Sequence, residues 1–211
     1  MEPADVSRAL RADFWPKLKA AGFGVRTDRV AWRYTEDAVD VVELWAVGPN
    51  ADACGCTSVS LSAAVGSIPA FLPPPPGSVM KGGRARPRYY QCELHVSLHK
   101  TLLQPWFRPF SRAPSPPTPR SFLEHRLGLQ AVLRSDVHDR SDIWFVKDDG
   151  SNLGEVVADL WQVTSAVGLP ALARMHDPCQ VIDMIQAGAL LPDPDSPAGQ
   201  EIVEAARRAC P

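Results

Sequence analysis

The sequence predicts an α+β fold, with an antiparallel sheet of about five to six strands packed against N-terminal and C-terminal helices. Three observations lead to this prediction. Apolar residues at helical spacing occur near both ends of the chain, strand-like patterns with short connections lie between them, and the stretch Ser141–Val167 has the pattern of a strand, a turn and a helix. A chain of 211 residues is long enough for one well-packed core.

The first helix is predicted from apolar side chains that recur every four residues: Val6, Leu10, Phe14 and Leu18. Pro16 interrupts this pattern, which leaves two alternatives. Either the helix kinks at Pro16, or it stops near Ala12 and Asp13 caps a second helix. Gly22 suits the position after the helix end, where a left-handed conformation is needed.

Four strands are predicted next: Val30–Tyr34, Val39–Val47, Ser58–Val65 and Gln91–Leu98. The second has apolar residues on both faces, which is typical of a central strand. The third alternates between apolar and serine residues, so we expect one of its faces to meet water. The short connections favour antiparallel pairing.

The C-terminal part is predicted to begin with a buried strand at Ile143–Val146. A helix then follows, capped by Asn152 with Glu155 as in a capping box, and ended by Gly168 and Pro170. Two further helices are predicted, one capped by Asp177 and started by Pro178 and a last one at Pro197–Ala209.

The predicted domain organisation is one α+β domain over residues 1–190, followed by a linker and helix over 191–211. Two proline-rich insertions, at about 69–90 and 104–120, are expected to lack regular structure. Hydrophobic residues at 45% and charged residues at 22% are ordinary for a globular protein. No apolar run approaches a membrane span, and no secretion signal is recognised. Five cysteines without framework spacing favour reduced thiols and a cytoplasmic location.

The net charge of -2 is unevenly distributed along the chain. Residues 81–120 carry eight basic and one acidic side chain (+7), whereas residues 121–211 carry seven basic and fourteen acidic ones (-7). The two regions either neutralise each other within the fold, which is the favoured interpretation, or leave a basic patch for an anionic partner.

The basic side chains concentrate on a predicted mobile, exposed arm between a polyproline run and a strand. The arm either contacts phosphates or an acidic surface, or is a solvated insertion, which is the favoured interpretation. An aromatic-basic pair in the second proline-rich loop either resembles a surface for single-stranded nucleic acid or anchors the loop in the core, which is the more common case. The candidate binding residues are Lys81, Arg84, Arg86, Arg88, Trp106 and Arg108.

Two sets of side chains have the chemistry of metal ligands. His95 and His99 are predicted on one strand face, where a third ligand is not evident. A loop cluster of histidine and aspartate residues has the side chains that hold a metal and activate water: Asp136, His138, Asp139 and Asp142. No nucleophile elbow, phosphate loop or dinucleotide motif occurs, so no cofactor is predicted and catalytic residues stay candidates only.

The order of features resembles an uncharacterised bacterial domain-of-unknown-function family. Its members have a helix ending in Gly-Phe (here Gly22-Phe23), an Arg-Leu-Gly step (here Arg126-Leu127-Gly128) and a tryptophan-bearing strand before a helix (here Ile143–Val146). A helix running into a Leu-Pro step matches Leu169-Pro170, and the resemblance covers about residues 7–187. It implies a single α+β domain and carries over no catalytic residues.

Three functional hypotheses follow from these patterns. The first is a non-catalytic protein-interaction module, an adaptor or an immunity-type inhibitor, whose partner is an unidentified protein. The second is a metal-dependent hydrolase that uses the histidine and aspartate cluster. The third is a weak nucleic-acid binder that uses the basic arm. No membrane association is expected.

Overall fold

The computed structural model describes residues 1–48, 51, 56–73, 80–81, 84–99, 142–187 and 195–211, and it confirms the α+β prediction. Five antiparallel strands form one sheet in the order β1-β2-β3-β4-β7, and β5 and β6 form a separate small hairpin. The strands are β1 (Val25–Arg26), β2 (Val30–Tyr34), β3 (Ala38–Ala46), β4 (Leu61–Pro69), β5 (Met80–Lys81), β6 (Arg84–Ala85) and β7 (Leu94–Ser97).

The helices pack on one face of this sheet, where they enclose the main core. They are α1 (Pro3–Ala9), α2 (Trp15–Ala20), α3 (Leu153–Val163), α4 (Leu169–Met175), α5 (Pro178–Gln186) and α6 (Pro197–Ala209). The core includes side chains from both ends of the chain, such as Phe14, Leu160 and Ile202, together with Leu44 and Val65 of the sheet. The N-terminal and C-terminal helices therefore stabilise one common core.

Two pairs of α segments each form one continuous helix with a proline in its interior. A π turn (Leu10–Phe14) joins α1 to α2, and another (Thr164–Gly168) joins α3 to α4. Pro16 and Pro170 each follow directly on the π turn as the second residue of the next α segment. A wider π turn accommodates the proline ring and its missing N–H. The alternative in which the first helix stops near Ala12 is therefore wrong, and so is the predicted stop of the second helix at Gly168 and Pro170.

Gly168 acts as a contact residue instead of a helix stop. It lies where the continuous helix Leu153–Met175 crosses β4, and a Cβ atom at this position would be 3.0 Å from Cγ1 of Val65. The absent side chain thus lets the helix approach the sheet closely. Gly22, by contrast, has the predicted left-handed conformation, with φ of 94°, at the end of α2.

The predicted strands agree with the structure to different degrees: β4 lies three to four residues later than the predicted Ser58–Val65, and β7 is shorter than the predicted Gln91–Leu98. β2 has the predicted bounds, and β3 is buried on both faces as expected for a central strand. β4 is buried at every residue, so the expectation that one face meets water is wrong. On that face Cys92 and Tyr89 pack closely over Gly66, where a Cβ atom would lie only 2.9 Å from Cβ of Cys92 and 3.3 Å from the Tyr89 carbonyl oxygen.

The stretch before α3 is buried but forms no strand. Trp144 makes a single antiparallel bridge to Leu61 at the end of β4. Asn152 precedes α3 without capping it through its side chain. Its amide instead accepts a hydrogen bond from the Lys147 N–H (2.9 Å) and donates one to the Phe145 carbonyl (2.8 Å), which closes the turn. The predicted capping box is therefore wrong, because the long turn competes for the same side chain.

The last two helices begin at the predicted residues, α6 also ends where predicted, and the two are joined covalently. The Asp177 carboxylate caps α5 by accepting bonds from the backbone N–H groups of Cys179 (2.9 Å) and Gln180 (3.3 Å). Cys179 at the start of α5 forms a disulfide with Cys210 at the end of α6. The expectation that all thiols are reduced is wrong for this pair. The cytoplasmic location and the division between residues 1–190 and 191–211 stay predictions.

The continuous helix Leu153–Met175 is long and apolar enough to cross a membrane, contrary to the expectation from the sequence. Half of its most apolar window is buried inside the fold. A core helix of this kind passes the same test of length and composition. The predicted absence of membrane association stays a prediction.

Candidate binding surface

The sheet face opposite the helices is covered by an extended segment that we call the arginine strap (Arg84–Arg88). Two aromatic side chains of β2 hold its backbone. Trp32 donates its indole N–H to the Pro87 carbonyl (2.8 Å), and Tyr34 donates its hydroxyl to the Ala85 carbonyl (2.9 Å). The expectation that this arm lacks regular structure is therefore wrong for this segment, which begins as strand β6, whereas Arg84 and Arg88 are exposed as predicted.

The spacing of the arginines explains why the strap packs against the sheet. In an extended chain alternate side chains point the same way, and so do Trp32 and Tyr34 on β2. The guanidinium carbon of Arg84 lies 5.0 Å from the ring centre of Tyr34, and that of Arg86 lies 5.6 Å from the ring of Trp32. These are cation–π contacts, which stabilise the strap without a carboxylate.

The third arginine of the strap forms an ion pair with a buried acid. Arg88 donates hydrogen bonds from Nε (2.8 Å) and Nη2 to Oε1 of Glu43 on β3. Oε2 of Glu43 accepts the backbone N–H of Tyr89 (3.1 Å). The hydrogen bond to Glu43 raises the pKa of Arg88 above its ordinary value. The charge of Glu43, whose side chain is only 2% exposed, is thus balanced where it is buried.

Next to the strap lies a group of rings that we call the aromatic platform (Trp45, Tyr89 and Tyr90). Trp45 of β3 and Tyr89 stack with ring centres 4.9 Å apart and an angle of 5° between the planes. Tyr90 meets Tyr89 edge to face at 5.7 Å, and the Arg88 guanidinium lies 5.9 Å from the Tyr90 ring. Tyr90 is 63% exposed, the only large exposed hydrophobic side chain among the described residues.

The two predicted histidine ligands have different surroundings. His95 on β7 has its Nδ1 atom 2.8 Å from the Cys92 carbonyl oxygen, and its ring meets Tyr89 edge to face at 5.8 Å. Burial lowers the pKa of His95, against the effect of the Cys92 hydrogen bond. His99 lies beyond the end of β7. Across the described ranges, no three His, Cys, Asp or Glu side chains are arranged to hold a metal ion.

Several other candidate residues lie outside the described residues, so their predicted roles stay predictions. These are Trp106, Arg108, Asp136, His138 and Asp139. Asp142 is described and lies half-buried directly before Ile143. Lys81 pairs with Arg84 in the β5–β6 hairpin, where its backbone alone is described.

Sequence reasoning missed a buried acid at the opposite end of β3. The Asp40 carboxylate is fully buried and accepts hydrogen bonds from Nε of Arg33 (2.9 Å) and the Ser67 hydroxyl (2.8 Å). Its Oδ1 also lies 2.8 Å from Nε2 of His176, the residue after α4. An acid within an apolar strand requires such partners. The acidic residues in the run VDVVELW are the signal that predicts two buried ion pairs.

The Cys92 thiol is buried against the strap side of the sheet and is expected to be inert. Burial, and to a smaller extent the negative charges of Asp40 and Glu43, raises the pKa of the Cys92 thiol far above its ordinary value. We therefore expect iodoacetamide at pH 8 to leave Cys92 unmodified in the folded protein and to alkylate it in urea. Mass spectrometry of the corresponding peptide checks this, and rapid alkylation of the native protein would contradict it.

Comparison of the chain with protein-family models, with curated proteins and with solved structures finds no match. The resemblance to an uncharacterised bacterial family therefore stays a prediction.

Proposed function

We propose that the protein is a non-catalytic interaction module that binds another protein through the aromatic platform and the adjoining Arg88. An adaptor or an immunity-type inhibitor would work in this way. The observation that carries the proposal is the exposure of Tyr90, 63% of whose surface is accessible although it stands on a packed base. Tyrosine and arginine side chains on such a base are the residues that most often dominate the energy of protein interfaces.

The base supports the proposal because it reduces the entropic cost of binding. Tyr89 stacks on Trp45, and Glu43 holds both Arg88 and the Tyr89 backbone. Side chains that are already ordered lose less conformational freedom when a partner binds. A partner thus finds one exposed ring and one half-exposed guanidinium in fixed positions.

Catalysis receives less support from the described residues. The buried acids Asp40 and Glu43 are engaged by cationic and hydrogen-bonding partners, and the Cys92 thiol is held in its neutral form. The hydrolase hypothesis keeps its basis in the sequence alone, at Asp136, His138, Asp139 and Asp142. Protein purified without chelator would contain a stoichiometric divalent metal if that hypothesis holds, and elemental analysis measures this directly.

The proposal is tested by crosslinking and capture from lysate of the native host, followed by mass spectrometry. Wild-type protein serves as bait beside Tyr90→Ser and a control, Lys19→Ser, which changes an exposed residue of α2. We expect a protein that wild type and control retain and that Tyr90→Ser recovers at least about tenfold less, as for the loss of an interface hot spot. Equal recovery by all three baits, or no captured protein at low salt, would contradict the proposal.

A further inference from the structure

We propose that the partner presents an acidic, extended segment, with carboxylates that bind Arg84 and Arg88 and an apolar side chain beside the second carboxylate that contacts Tyr90. This inference rests on the proposed function and adds the chemistry of the partner to it. Its basis is the balance of charge on the arginine strap and the number of ring faces left free beside it.

The strap carries positive charge that the described residues neutralise only in part. Arg84 and Arg86 contact the rings of Tyr34 and Trp32, and neither pairs with a carboxylate in the parts of the chain that the structure describes. Arg88 pairs with Glu43 through Nε and Nη2, and its side chain is still 46% exposed. Its other terminal nitrogen, Nη1, therefore remains to donate to an acceptor on a partner.

The positions of the two exposed arginines define the spacing of a complementary segment. Arg84 and Arg88 are four residues apart in an extended chain, which corresponds to roughly 13 Å. An extended partner with carboxylates at every fourth residue matches this distance. Arginine suits the role because its planar guanidinium group binds carboxylates through two parallel hydrogen bonds.

The rings favour a protein partner over single-stranded nucleic acid. Nucleic-acid binding of that kind requires several free ring faces on which successive bases stack. Arg84 and Arg86 lie against the rings of Tyr34 and Trp32, while Trp45 and Tyr89 stack on each other. Among the described residues Tyr90 remains as the exposed ring, which suffices for one apolar contact with a peptide and provides no series of stacking faces.

The test uses fluorescence anisotropy with the full chain and four labelled probes. Three are peptides of equal length, with glutamate, glutamine or lysine at every fourth position and a leucine between; the fourth is an oligothymidylate. The salt concentration is 50 mM, with a second measurement at 300 mM. We expect the glutamate peptide to bind at least about tenfold more tightly than the glutamine peptide, and more weakly at high salt. The lysine peptide is expected not to bind.

The variants Arg84→Glu and Lys19→Glu change the charge of the protein by the same amount. Because Lys19 is an exposed residue of α2, a general electrostatic effect would weaken binding equally in both. We expect at least about a tenfold loss of affinity for Arg84→Glu and less than a twofold loss for Lys19→Glu. Circular dichroism and thermal unfolding of both variants check that the fold is retained. If Arg84→Glu unfolds, Arg84→Gln replaces it, with the same direction of change expected.

Three results would overturn the inference. One is equal binding of the glutamate and glutamine peptides, and another is no binding of the glutamate peptide at 50 mM salt. The third is oligothymidylate that binds more tightly than any peptide and responds to Arg84→Glu. Each outcome concerns the chemistry of the ligand, whereas the proposed function fails when captured proteins do not depend on Tyr90, so the two failures are distinguishable.

Discussion

Replacing Asp40 with alanine is expected to lower the free energy of unfolding by about 3 to 5 kcal/mol, as for other buried ion pairs that lose one partner. The carboxylate is fully buried and connects three parts of the fold. The carboxylate accepts hydrogen bonds from Arg33 on β2 and Ser67 on β4, and it contacts His176 after α4. Arg33 also donates to the Ala21 carbonyl at the end of the N-terminal helix (3.2 Å). The substitution therefore leaves several polar groups without their acceptor.

Equilibrium unfolding in urea measures the effect, with Asp40→Asn as the milder variant. The asparagine keeps an acceptor for Ser67 and loses the charge that Arg33 requires, so we expect an intermediate loss of about 1 to 3 kcal/mol. Glu204→Ala is the control, because Glu204 pairs with Arg208 at 3.3 Å on the surface of α6, where both side chains are about 70% exposed. That change is expected to cost less than about 0.5 kcal/mol. Similar losses for Asp40→Ala and Glu204→Ala would contradict the prediction.

The second large effect is expected from the disulfide between α5 and α6. Cys179 and Cys210 are 31 residues apart. Closing a loop of that length lowers the conformational entropy of the unfolded chain and so raises the free energy of unfolding by about 3 to 4 kcal/mol. We expect the double variant Cys179→Ser, Cys210→Ser to unfold at a correspondingly lower urea concentration. α6 should still dock, because Ile202, Val203 and Ala206 belong to the main core.

A thiol reductant provides the matched control for this prediction. It should shift the unfolding midpoint of the wild type to that of the double variant, and it should leave the double variant unchanged. A thiol assay in denaturant should detect two more free thiols after reduction than before it. No shift of the wild type on reduction would contradict the prediction. The same assay on protein taken from the host tests the cytoplasmic location, since disulfides persist mainly in oxidising compartments.

The sequence alone determined the elements whose signals are local. The last helix has the predicted bounds, because the Ser196 hydroxyl caps it by accepting the Gly199 N–H (3.1 Å) and Pro197 starts it. The same holds for the start of α5, which Asp177 caps. β2 and the central position of β3 follow from apolar patterns that report burial directly. Capping groups and alternating side chains act within a few residues, so a single sequence contains the whole signal.

Tertiary structure alone decided the features that depend on distant residues. The composition of the arginine strap predicts a solvated arm. The strap is ordered because Trp32 and Tyr34, about fifty residues earlier, provide ring faces and hydrogen-bond donors that contact it. Gly168 has the pattern of a helix stop, and the contact with Val65 makes it a packing residue within a continuous helix. Asn152 has the pattern of a cap, and the turn that it closes takes its side chain away. In each case a long-range contact stabilises a conformation that local preferences disfavour, and the pairing of Cys179 with Cys210 likewise depends on how α5 and α6 pack.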